Sequence, residues 1–292
     1  MKAKYKIAGI GEILWDMFPG GGRLGGAPAN FACHCQQLGG EAFPVSCIGK
    51  DELGQQTREE LERLGVNSAF ITELSDYPTG QVQVSLDEAG KPSYEILDNM
   101  AWDHLEFTPA LKSLAPTLDA ACFGTLSQRS PGSQNTIREF LRAMPDHSLK
   151  IFDVNLRGDF YSKPLIEESL PLATILKLSD EELPVLADYF ELSGSVTDQL
   201  IELRNRFALD LIAYTRGSDG SLLISPAENS EAQGLSVTAL DSVGAGDSFT
   251  AALCTGILNM MPLSEVNTFA NRVASYVCSQ KGACPKLPES IR

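Results

Sequence analysis

The stretch Asp241-Ser-Val-Gly-Ala-Gly-Asp247-Ser-Phe-Thr-Ala-Ala-Leu253 joins a glycine turn to a helix-forming run. Its glycines let the backbone turn tightly and approach a ligand closely. The run after Ser248 reads as a helix, so the backbone N–H groups of Gly244, Ala245, Gly246 and Asp247 become orphan donors at a helix N-terminus, a ready-made anion site. Asp247 then admits two readings. It is a carboxylate favoured by the helix dipole, or a base that takes a hydroxyl proton while the N–H groups stabilise charge on a transferring phosphoryl group.

Upstream, from about residue 120, strand-like and helix-like patterns alternate. Candidate strands are 120–124, 150–155, 174–178, 211–215 and 221–224, and candidate helices are 132–143, 180–190, 196–208, 246–259 and 264–280. Such alternation predicts a mostly parallel sheet with helices on both faces, and ligands outside the carboxyl ends of its strands. Nearer the N-terminus, residues 4–14 read as a buried strand, followed by a glycine-rich stretch from Pro19 to Gly26. Residues 28–38 then read as a helix, 42–48 as a strand and 51–64 as an amphipathic helix. Gln81-Val-Gln-Val-Ser-Leu-Asp87, a turn at Glu88-Ala-Gly90 and Ser93-Tyr-Glu-Ile-Leu97 alternate polar and apolar residues, which predicts a two-sided hairpin in a small flap.

A second glycine turn, Gly25-Gly-Ala-Pro-Ala-Asn30-Phe-Ala, opens the helix at 28–38 with Pro28 in its first turn. It reads as a tight helix start, or as a close backbone approach to a small polar ligand, with Asn30 offering donors and acceptors. The usual nucleotide motifs are absent: there is no GxxxxGK[ST], and Gly9-Ile-Gly11 lacks the third glycine of a dinucleotide fingerprint.

Composition narrows the field further. The 292 residues carry a net charge of −15, which repels nucleic acid and anionic membrane surfaces. The basic N-terminus precedes an apolar run too short for a signal peptide, interrupted by Glu12 and Asp16, and no apolar run is long enough to span a bilayer; a cytoplasmic location is expected. Seven cysteines include no CxxC pair and read as buried free thiols, with Cys33 and Cys35 directed to different sides of one helix.

The two glycine turns, in this order and at opposite ends of the chain, are the point of recognition. Gly25 to Gly39 and Asp241 to Leu253 match the two signatures of the ribokinase-like (PfkB-type) carbohydrate kinases, which the chain resembles over essentially its full length. The resemblance implies one doubly wound α/β domain over 1–292, with a small β-sheet lid formed mainly by about 12–24 and 78–105. It implies phosphoryl transfer from ATP to a sugar hydroxyl with Mg²⁺, Asp247 as base, and an anion hole from Gly244, Ala245, Gly246 and Asp247. Asp16, Gly25, Gly26 and Asn30 match sugar-binding positions. Thr215, Gly217, Ser218, Gly220, Gly246 and Asn271 match the nucleotide loop and the adenine contact, although by position alone Asn271 also reads as a solvated helix residue.

The segment Lys177-Leu-Ser179-Asp-Glu-Glu182 matches an Asn-x-x-Glu element that orders Mg²⁺ through water, with Ser179 in place of asparagine. Ser179 and Glu182 also read as an ordinary capping box. A K⁺ site is implied at Asp241, Val243, Gln280 and Gly282, with Lys286 where some members carry a small hydroxyl residue. The wording of the motifs is closest to fructokinases, with Gln128, Asn155 and Arg157 near the sugar and Trp102 either stacking on its apolar face or filling the core of the lid. A 2-keto-3-deoxygluconate kinase is the alternative within the class, and its acidic substrate makes Arg157 and Arg129 the discriminating residues. A non-catalytic sugar or nucleotide sensor is the alternative outside it. The flap edge is the expected site of a homodimer.

Overall fold

The computed structural model describes residues 4–18, 20–86 and 92–292. In chain order the strands and helices are β1 (Lys6–Ile10), β2 (Leu14–Phe18), β3 (Gly21–Gly25), α1 (Ala27–Gln37), β4 (Glu41–Gly49), α2 (Glu52–Arg63), β5 (Ile71–Leu74), β6 (Gly80–Leu86) and β7 (Pro92–Ile96). They continue with α3 (Pro109–Leu114), β8 (Ala120–Phe123), α4 (Pro131–Ala143), β9 (Leu149–Asp153), α5 (Lys163–Ser169), β10 (Ile175–Ser179), α6 (Leu183–Phe190) and α7 (Val196–Arg206). The last are β11 (Leu211–Thr215), β12 (Ser221–Ile224), β13 (Asn229–Ala232), α8 (Ala245–Leu258) and α9 (Leu263–Cys278).

Nine strands form one sheet in the order β13-β12-β11-β10-β9-β8-β1-β4-β5. It is parallel except where β12 pairs antiparallel with β11 and β13. Strand side chains alternate between its two faces. Ile7, Ala42, Ala120, Ile151, Ile175 and Leu211 pack under α1, α8 and α9. Ala8, Phe43, Ala121, Phe152, Leu176 and Ile212 pack under helices that include α4, α6 and α7. Each fully buried aliphatic or aromatic side chain stabilises this arrangement by roughly 1.5–3 kcal/mol. The fold is therefore the doubly wound α/β class expected from the alternation, with a second sheet of four strands ordered β3-β2-β6-β7.

Two sequence readings change. The strand expected over 4–14 is divided: β1 ends at Ile10, Gly11 takes φ 147°, and β2 begins the second sheet at Leu14. A Cβ at Gly11 would overlap the Ser127 hydroxyl and the Pro28 ring, so only glycine fits this crossing between sheets. The helix expected over 180–190 starts at Leu183, because the Glu182 carboxylate turns back to accept the Ser179 N–H at 2.7 Å. Ser179 closes β10 instead of capping a helix. The expected turn Glu88-Ala-Gly90 and the residue Pro19 lie outside the described residues. All seven cysteines are free thiols; Cys33 and Cys35 enter different apolar clusters, as their spacing requires. No helix among the described residues is long and apolar enough to cross a membrane.

Candidate active site

The two glycine turns face each other on one side of the main sheet. α1 starts after Gly26, at φ 104°, and a Cβ there would overlap the Glu12 carbonyl. α8 starts after Gly244, at φ 78°, and a Cβ there would overlap the backbone of Ala283. Both positions therefore need glycine for space as well as conformation. The early turns that follow bring Asn30 to Asp247, whose Oδ2 accepts the Asn30 Nδ2–H at 2.8 Å. The second carboxylate oxygen has no hydrogen-bond partner among the described residues. The N–H of Ala245 is engaged by the Ser242 carbonyl at 3.3 Å and that of Ser248 by Gly244 at 2.8 Å. Among the described residues the N–H groups of Gly244, Gly246 and Asp247 have no acceptor, which leaves three of the four expected donors for an anion at this helix start.

Behind this turn lies a buried ion pair that the sequence reading did not assign to the site. Lys177 on β10 and Asp153 on β9 are direct partners in the strand register, with Nζ and Oδ1 3.0 Å apart. Both are under 10% exposed. A Cβ on Gly246 would lie 3.3 Å from the Lys177 ammonium, so the charge stands directly beneath the turn. Burial alone would push Lys177 down, but Asp153, Glu182 and Asp247 together raise it above the ordinary lysine value. Asp153 is pushed up to about 6 by burial, against the pull of Lys177. Thr250 extends the group, 3.4 Å from Asp153 Oδ2 while it donates to the Gly246 carbonyl at 2.9 Å.

Burial raises the Asp247 carboxyl above its ordinary value of 3.8, and the Asn30 amide, Lys177 and Arg157 pull it down. In the expected role of base Asp247 would have to be ionised to act, and the rate would then fall as pH drops through this raised value. The pH profile of kcat/KM is expected to show an acid limb above 3.8. Asn30→Leu removes the amide that favours the carboxylate and is expected to move that limb to higher pH. A limb that stays in place or moves down in Asn30→Leu would contradict the pairing.

On the sugar side, Asp16 lies on β2 with its Oδ2 against Gly25, where a Cβ would come within 3.0 Å. Asp16 is pushed up to about 6, chiefly by burial and in smaller part by Asp241, against the pull of Arg157 and Arg23. Arg157 is exposed and follows Asn155, which takes φ 42° and lines a small cavity beside Asp247. Asn30, Asn155 and Arg157 thus surround Asp247, while Gly25 packs on Asp16, which shares Arg157 as a charge neighbour with Asp247. Trp102 and Gln128 take no part in this group. Trp102 is fully buried, its ring beneath the Arg129 guanidinium at 4.1 Å and against Gly80. Gln128 is also buried, its amide donating to the Gly124 carbonyl at 2.9 Å and to the Ser169 hydroxyl at 3.0 Å. Arg129 is engaged bidentately by Asp103, at 2.8 and 2.7 Å, and by the Leu97 carbonyl.

The nucleotide-side residues line one cleft of about 550 Å³, which includes Thr215, Gly217, Ser218, Gly220, Gly246 and Asn271. Its inner end is the glycine turn of α8. Asn271 is buried and donates to the Ser221 hydroxyl at 2.6 Å, not solvated as a bare helix position would be. Ser179 and Glu182 stand outside this lining. The Glu182 carboxylate accepts N–H groups from Ser179 at 2.7 Å and Leu156 at 2.9 Å, tying together the ends of β10 and β9.

At the K⁺ positions, Asp241 Oδ2 accepts from Arg23 Nη1 at 3.0 Å and from the Gly282 N–H at 3.2 Å, and Oδ1 accepts from the Val243 N–H at 3.1 Å. Gln280 turns its amide to the Ser279 hydroxyl, and Lys286 is exposed. The sequence offered one signal for Lys177: a charged residue inside an apolar strand, which needs a buried partner. It offered none for Arg23, a lone basic residue in a glycine-rich stretch.

Residues 21–290 match the family model described as pfkB family carbohydrate kinase. A sugar kinase of Pyrococcus horikoshii is 31% identical over 98% of this chain and 94% of its own. A fructokinase of Klebsiella pneumoniae is 26% identical over 97% and 96%. Among solved structures, an uncharacterized sugar kinase from Pyrococcus horikoshii in complex with ATP superposes with a TM-score of 0.82 at 30% identity, over 95% of this chain and 94% of that one. The ATP-bound fructokinase of Xylella fastidiosa does so at 0.87 and 23% identity, over 98% and 96%.

Proposed function

The chain belongs to the pfkB family of carbohydrate kinases, and from that premise we propose that it transfers the γ-phosphoryl group of ATP to a hydroxyl of fructose. The observation that carries this reading is the Asp247 carboxylate, fixed by Asn30 through one oxygen and open at the other, next to Gly246 in the lining of the cleft and sharing the charge of Arg157 with Asp16. Asp16 orients the sugar, Asp247 takes the proton of the attacking hydroxyl, and the N–H groups of Gly246 and Asp247 meet the charge on the transferring group. Glu182, already fixed by two backbone donors, would order the waters of a nucleotide-bound Mg²⁺, which would supply charge neutralisation at the phosphates.

Fructose is favoured over an acidic sugar because Arg129, one of the two cations available for a substrate carboxylate, is engaged by Asp103. Arg157 keeps the second reading alive: the one hydrogen bond of its side chain among the described residues is to the carbonyl of its neighbour Leu156, so the guanidinium is free to meet the carboxylate of 2-keto-3-deoxygluconate. The second sheet serves as the lid over the sugar, and a homodimer would form along its β3 or β7 edge.

A panel of fructose, ribose, tagatose, inosine and 2-keto-3-deoxygluconate with ATP and Mg²⁺ tests the assignment. Fructose is expected to give the highest kcat/KM. A higher value for 2-keto-3-deoxygluconate would transfer the assignment to that sugar acid, and binding of ATP without turnover of any sugar would favour a sensor.

A further inference from the structure

Asp241 precedes the glycine turn, and its side chain is 14% exposed. Every partner it has among the described residues is a donor: the Arg23 guanidinium and the N–H groups of Val243 and Gly282. A bare monovalent cation here would have to bind carboxylate oxygens that these donors now engage, and to supply the positive charge that Arg23 already brings. Here the balancing charge is already covalently attached. Arg23 comes from β3, and its guanidinium lies over the Phe18 ring, 4.8 Å from the centroid, which fixes its direction toward Asp241. The other basic residue considered for this place, Lys286, is exposed, and its backbone carbonyl accepts from the Tyr276 hydroxyl.

We propose that Arg23 replaces a monovalent cation at Asp241, so that the kinase needs none, and that it positions the turn Val243–Asp247 for phosphoryl transfer. Asp241 holds the Val243 N–H one residue before Gly244, and the Gly282 N–H beside Ala283, whose backbone packs on Gly244. A mostly buried carboxylate that loses its cationic partner becomes uncompensated and draws in a counter-ion or shifts. The turn would move with it. Because Arg23 belongs to the second sheet, the same contact ties that sheet to the start of α8.

The inference rests on the kinase activity, not on which sugar is phosphorylated. It is read with whichever sugar turns over fastest, and by thermal melting, which needs no substrate. At constant ionic strength, wild type is expected to have the same kcat and melting point in potassium, sodium or tetramethylammonium chloride. Arg23→Gln is expected to lose about tenfold in kcat in tetramethylammonium chloride, the loss of one charged hydrogen bond, and to recover in potassium chloride. Its melting point is expected to rise by about 2–4 °C with potassium. Arg23→Lys, which keeps the charge, is expected to stay independent of cation. Potassium activation of wild type would overturn the proposal. So would Arg23→Gln retaining full activity in tetramethylammonium chloride, or losing activity that no monovalent cation restores.

Discussion

Asp247→Asn is expected to lower kcat by about 10³-fold, within the usual contribution of a positioned general base, while ATP and sugar affinities stay within about threefold of wild type. The amide matches the carboxylate in shape and still offers an oxygen to the Asn30 Nδ2–H, now 2.8 Å from Oδ2. It cannot accept the proton of the sugar hydroxyl. The N–H groups of Gly246 and Asp247 are unchanged, so residual turnover should remain above the uncatalysed rate. Steady-state kinetics with calorimetric titration of ATP separates the two quantities. A variant with wild-type kcat would remove Asp247 as the base. Equal loss of binding and turnover would make it a binding group instead.

Much of this site was legible because its chemistry is concentrated in two short turns. Gly26 and Gly244 mark places where no Cβ fits, and such glycines show in a sequence as runs before a helix. The alternation of strand and helix was legible because a parallel sheet covered on both faces leaves apolar runs of strand length. What was hidden depended on pairs far apart in the chain. The crossing at Gly11 keeps the apolar pattern of one strand while the backbone changes sheets, so periodicity cannot show it. Trp102 reads as an aromatic available to a sugar until Gly80 and Arg129 are seen closing over its ring. Arg23 meets its partner 218 residues away, and local sequence carries no trace of that. Glu182 shows how a motif and its geometry differ: the spacing from Ser179 suits a cap, but the carboxylate closes a turn after β10.

Lys177→Met is expected to lower stability by about 3–5 kcal/mol, the usual result of removing one partner of a buried pair. For a chain of this length that corresponds to a fall of about 5–8 °C in melting temperature. The methionine fits the volume of the lysine stem but leaves Asp153, 4% exposed, without its cation. Glu182 and Asp247 lose the same charge, since all three carboxylates raise Lys177. The sign with pH follows from Asp153, already pushed up to about 6 by burial. Without Lys177 its folded-state value rises further, so the protonated form is favoured in the folded protein. That contribution is fully present below the unfolded-state value and lost as pH rises through the folded one. The deficit of Lys177→Met against wild type should therefore shrink as pH falls from neutrality toward the unfolded carboxylate range. Asp153→Asn in the Lys177→Met background should restore part of the lost stability, because it removes the stranded charge. Turnover should not return with it. The ammonium beneath Gly246 supplies positive charge behind the free N–H donors of the turn, and its loss is expected to lower kcat by a further 10- to 100-fold, about the effect of one oxyanion-hole group or somewhat less. Chemical denaturation at several pH values, with kinetics on the double variant, checks both halves. Recovery of stability and activity together would reduce Lys177 to a structural partner of Asp153; recovery of stability alone assigns its charge to the transferring phosphoryl group.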